Sequence, residues 1–191
     1  MKTFIILLVI CCLVKIISNQ QDQCVRWINK TIPITACCKI TALFPSNAQH
    51  QVNDELSQEE KEQKSFYCKF WQKMFEKSNV TSLNQADIVT NFEKIVTDRD
   101  WLGVIKSNIQ KCIDFSFKNV DSYQIKINAT KEECDGVFCQ FMDCLVLLLS
   151  IYCPDKSFMN SDQCLDVRKF FHLCGENKAA VDDYIKVHYN I

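Results

Sequence analysis

Residues 130–154 read TKEECDGVFCQFMDCLVLLLSIYCP, and this stretch decides the fold. Thr130 offers a capping hydroxyl, Glu132 and Glu133 suit the positive end of a helix dipole, and Pro154 cannot continue a helix. The stretch is therefore predicted to be the longest helix of the chain, from Thr130 to Cys153. Its later part, Phe138 to Tyr152, is apolar nearly all round, as befits a helix at the centre of a fold. Gln140 and Asp143 interrupt the run and argue against a membrane span.

Working outward, helical periodicity recurs on both sides. From Asp54 to Phe75 an acidic start leads into Phe66, Tyr67, Phe70, Trp71, Met74 and Phe75, whose spacing sets aromatics on one face. Ser82 is a candidate cap for a helix with Ile88, Val89, Phe92, Ile95 and Val96 on its apolar side. Asp98 or Asp100 caps the next, where Leu102, Ile105, Ile109, Cys112 and Ile113 share a stripe. Ser161 or Asp162 opens a helix bearing Cys164, Val167, Phe171 and Cys174, with Gly175 at its stop. An amphipathic tail from Ala179 to Tyr189 closes the chain. Three glycines and three prolines in 191 residues are too few for the frequent turns of a sandwich or barrel. The expectation is an all-α, compact, disulfide-stapled domain of about six to eight helices around an apolar cavity.

The first residues read as a leader. Met1-Lys2 is followed by an almost wholly apolar run from Phe4 to Ile17, then by polar Ser18 to Asp22. That is the layout of a secretory signal peptide over residues 1–18, leaving 19–191 as one domain and a secreted, extracellular destination. With 22 basic against 23 acidic residues and no basic run, the chain has no electrostatic footprint for a nucleic acid.

Eleven cysteines follow the leader, and in an oxidising compartment they read as a disulfide framework: Cys24, Cys37, Cys38, Cys68, Cys112, Cys134, Cys139, Cys144, Cys153, Cys164 and Cys174. No pair has the two-residue gap of a zinc knuckle and histidine is scarce, so no metal is expected. The odd number leaves one thiol free or bonded to another chain. Most of these cysteines fall on predicted helices, so their bridges tie helix to helix, each contributing roughly 2–4 kcal/mol. Asn29-Lys-Thr, Asn79-Val-Thr and Asn128-Ala-Thr are acceptor triplets for N-glycosylation.

Chemistry is poorly served. His50, His172 and His188 are the only histidines; none lies near a Gly-x-Ser-x-Gly turn or forms a His-Glu-x-x-His pair. The helical, cysteine-rich secreted phospholipases need a histidine and an aspartate beside their double cysteine. Here Cys37-Cys38 is followed by Lys39-Ile40-Thr41. The chain is read as no enzyme, with no cofactor.

The order of cysteines from residue 112 is more specific. Cys112 is followed by 21 residues to Cys134, nine to Cys144 and eight to Cys153; Pro154 and nine more lead to Cys164, and nine to Cys174. This series resembles the Plus-C branch of the insect odorant-binding proteins, whose hallmark is Cys-Pro at the sixth cysteine with further cysteines after it. Ala36-Cys37-Cys38-Lys39-Ile40 with Leu43-Phe44-Pro45 is similar to that branch's double-cysteine N-terminus, and Cys68 stands at the family's third cysteine. The likeness covers roughly Cys24 to Cys174. It departs at Lys64, where the family has its second cysteine, which strands Cys144; an additional Cys139 appears on the same predicted helix. Cys139 cannot bridge to Cys134 or Cys144, because residues five apart on a helix project in different directions. By analogy with the family, Cys68 joins Cys37 or Cys38, and Cys112 joins Cys153.

The resemblance implies a secreted carrier that binds small hydrophobic molecules, odorant- or pheromone-like, in an internal pocket. Candidate contacts are Met74, Phe92, Phe138, Phe141, Leu145, Leu148 and Phe171. Besides the ligand, a membrane receptor, or a second chain bonded through an unpaired cysteine, are the partners this reading allows. The alternative is a secreted cysteine-rich interaction protein of saliva, venom or reproductive fluid. Such a protein would have no cavity and an exposed apolar patch larger than a few hundred Å2.

Overall fold

The computed structural model describes Cys24, Ile28 and residues 32–189; the expected leader and the Asn29 triplet lie outside them. Among the described residues the chain is all-helical, with eight α-helices, two 3-10 turns and no strand. Contacts divide it into two units: residues 39–157, and the chain ends up to Cys38 and from Phe158 onward.

The unit of residues 39–157 is built on α1 (Ala48–Glu55), α2 (Gln58–Glu62), α3 (Phe66–Lys77), α4 (Gln85–Ile95), α5 (Arg99–Ile127) and α6 (Gly136–Ile151). The single helix expected between Asp54 and Phe75 is three segments. Ser57 breaks it with a reciprocal capping box: its hydroxyl accepts from the Glu60 N–H at 3.2 Å, and its own N–H donates to the Glu60 carboxylate at 2.9 Å. Asn84, rather than Ser82, caps α4, accepting from the Asp87 N–H at 2.9 Å. Asp98 caps α5, accepting from the Asp100 N–H at 3.0 Å.

The longest described helix is α5, with 29 residues, and not the one expected from Thr130. Thr130 does close a capping-type turn with Glu133, but the chain leaves it at once: Cys134 is bonded to Cys68, and α6 begins after its own cap, Asp135. Gln124 of α5 fills the bend. Its amide donates to the carbonyls of Ala129 and Cys134, both at 3.1 Å, and its oxygen accepts from the Gly136 N–H at 2.8 Å. A β-carbon on Gly136 would sit 2.3 Å from that oxygen, so any other residue there must displace the Gln124 amide. The core of this unit includes Phe75, Phe92, Ile105, Ile109, Phe141 and Leu145, all essentially inaccessible to water. Burying each such side chain contributes about 1.5–3 kcal/mol.

The second unit joins the two ends of the chain. A 3-10 turn, Ile34–Cys37, follows Pro33, and Cys38 forms an isolated bridge with Phe158. Ser161 caps α7 (Asp162–Cys174) by accepting from the Cys164 N–H, and α8 (Lys178–Tyr189) follows. Tyr184 of α8 is fully buried. Its ring stacks on Phe170 with centroids 5.1 Å apart and meets Phe171 edge-on at 4.9 Å.

Four disulfides lie each within one unit. Cys24–Cys174 and Cys37–Cys164 tie the chain ends; Cys68–Cys134 and Cys112–Cys144 tie α3 to the bend and α5 to α6. Cys38 and Cys153 are disulfide-bonded as well. The pairings expected by analogy are corrected on three points. Cys68 joins neither Cys37 nor Cys38, because α3 presents it to Ile127 and Cys134 in one buried cluster. Cys112 joins Cys144 rather than Cys153, since α5 and α6 form the most extensive helix pair. Cys144 is therefore not stranded. The free thiol among the described residues is Cys139, and it is buried.

Candidate ligand cleft

Between the 41–46 loop, α1, α3 and α6 lies an open cleft of about 580 Å3, wholly within the unit of residues 39–157. Volumes of this order hold small organic ligands. One wall comes from α3. Phe66, Phe70, Trp71 and Met74 recur at the three- and four-residue steps that align side chains on a helix, and Tyr67 stands at the rim, 66% exposed. Met142 and Val146, one turn apart on α6, add apolar surface. The rest of the lining is mixed. Leu43, Phe44 and Pro45 come from the loop, with Thr41 and Ser46 beside them, and Gln49 and Asn53 lie one turn apart on α1.

The wall is held from behind. The ring of Phe44 lies 5.8 Å from that of Trp71 and meets Phe75 edge-on at 5.3 Å and Phe92 at 6.2 Å. Phe70 and Trp71 are edge-to-face at 5.1 Å. Ala48, Val52 and Leu56 of α1 pack with Phe70 and Met74 underneath, so the cleft floor is itself a hydrophobic core. Each aromatic pair adds about 0.5–1.5 kcal/mol beyond its buried area and restrains the wall's geometry.

Of the residues predicted to contact a ligand, Met74 lines this cleft. Phe92, Phe138, Phe141 and Leu145 are buried in the same unit; Phe138 and Phe141 pack their rings on Phe75 at 5.0 and 5.9 Å, behind the α3 wall. Leu148 is half-buried on α6 and is not in the lining. Phe171 belongs to the unit of the chain ends, against Phe170 and Tyr184. The sequence reading overlooked Phe44, Gln49, Asn53, Met142 and Val146. The aromatic stripe of α3 was the available signal, whereas the loop opposite it carries no periodicity.

No acidic, basic or histidine side chain lines the cleft. The perturbed thiol lies elsewhere: burial, and then the nearby Asp143 carboxylate, pushes Cys139 up to about 12, while the Tyr123 hydroxyl donates to it at 2.9 Å. A thiol so protonated is a poor nucleophile. His50 and His172 stand exposed on α1 and α7. Among the described residues no group of three His, Cys, Asp or Glu is arranged to hold a metal ion, and no helix is long and apolar enough to cross a membrane. The Asn79 and Asn128 triplets each begin with an exposed asparagine in the left-handed region, φ 56° and 52°, at the end of α3 and of α5.

No protein-family model, no curated protein and no solved structure matches this chain.

Proposed function

We propose that the chain is a secreted, soluble carrier that binds small hydrophobic molecules in the cleft between α1, α3 and α6, without acting on them. The observation that carries this reading is the cleft itself: about 580 Å3, walled by Phe66, Phe70, Trp71 and Met74. Burying a ligand's apolar surface against that wall supplies affinity, and the polar groups elsewhere in the lining orient it. The ordered cysteines ending in Cys153-Pro154, similar to those of the Plus-C odorant-binding proteins, support the same reading. So does the number of bonded cysteines, which suits an oxidising extracellular fluid. Glycans on Asn79 and Asn128, both exposed, belong to the same proposal.

The test is displacement of an environment-sensitive apolar dye from the mature protein, secreted with its disulfides formed. Saturable one-to-one uptake that Trp71→Ala weakens about tenfold or more supports the carrier. No uptake by protein shown to be folded and helical overturns it.

A second reading has its own observation. On α5, Phe115, Phe117 (58% exposed) and Ile125 (81% exposed) face water. Phe117 and Ile125, eight residues apart, lie on adjoining sides of α5, and an apolar surface there suits a protein partner, the feature of a secreted interaction protein. Dye binding unaffected by Trp71→Ala, together with loss of partner binding on Phe117→Ser, favours that reading.

A further inference from the structure

We draw no further inference here: the strongest candidate, the buried Cys139 thiol between α5 and α6 with the Tyr123 hydroxyl donating to it, is a lone cysteine with no second observation that points to a ligand.

Discussion

The phenolic oxygen of Tyr184 accepts the backbone N–H of Ile34 at 2.7 Å, across 150 residues of chain, and donates to the carbonyl of Ile32 at 2.8 Å. One side chain thereby satisfies a buried donor and an acceptor that no helix or sheet supplies. Tyr184→Phe keeps the ring against Phe170 and Phe171 but leaves both backbone groups unpaired. It should cost about 1–3 kcal/mol in denaturant unfolding. Tyr184→Ala, which also empties the space of the ring, should cost about 3–5 kcal/mol. An unchanged stability in Tyr184→Phe would show that the hydroxyl contributes nothing.

Gly136→Ala forces a methyl group to within 2.3 Å of the Gln124 amide oxygen and 2.7 Å of the Tyr123 ring. Gln124 cannot swing away without releasing the carbonyls of Ala129 and Cys134. The expected loss is about 1–3 kcal/mol, read from the shift in urea midpoint. Adding Gln124→Ala should cost less in the Gly136→Ala background than in the unaltered chain, because the clash has already broken the contacts of Gln124.

Cys139 should resist iodoacetamide in the native protein and react once the chain is unfolded without reductant, as followed by intact mass. Its alkaline linkage has a definite sign. The folded thiol titrates at about 12, above the unfolded value of about 8.5, so the folded state holds this proton more tightly. That contribution is complete below about pH 8.5 and is lost as the pH rises towards the folded value. Burial raises the phenol of Tyr123 as well, with the same sign. Unfolding free energy should therefore fall from about pH 8.5 upward, and less steeply in Cys139→Ala.

Asp98 gives the opposite slope in acid. Its carboxylate is held below the usual range, first by the hydrogen bond from Lys156, against a smaller opposing effect of desolvation, with help from the backbone N–H groups of Asp100 and Trp101. A lowered folded value adds stability above about pH 4, and that stability is lost as the pH falls through the folded value. Asp98→Ala should weaken the start of α5 and flatten the acid limb. Lys156→Ala, which removes an exposed ion-pair partner, should have a smaller effect that 1 M-range salt largely abolishes, a concentration with a screening length of about 3 Å. Equal acid limbs in the three proteins would show that the cap does not titrate.

Peptide mapping under non-reducing conditions should recover Cys68 with Cys134 and Cys112 with Cys144. Recovery of Cys112 with Cys153 would restore the pairing implied by the family resemblance.

The fold was legible where signals are local. Asp98, Ser161, Gly175 and the apolar run before Pro154 mark helix ends that depend on a few neighbouring residues, and the all-α class follows from them. The break at Ser57 was written as Ser57-x-x-Glu60 but masked by the long aromatic stripe that follows. Cys134 needed tertiary information: the pull of a disulfide to α3 and the carbonyl held by Gln124 end the turn that Thr130 begins. The cleft was half legible. Helical spacing reveals the α3 wall, but Phe44 and Asn53 join the lining only through the turn of the chain before α1, and no period encodes that.

Cys24–Cys174 and Cys37–Cys164 lie one inside the other along the sequence, with both chain ends in the same unit. To a protease the protein is thus a closed ring. Severing any one peptide bond between Cys37 and Cys164 yields two pieces that still travel together, and their molecular mass changes only by the water taken up. A nick in a largely exposed stretch such as Gln58–Lys64 leaves no piece free to diffuse away, so a single cleavage there does not take the molecule apart.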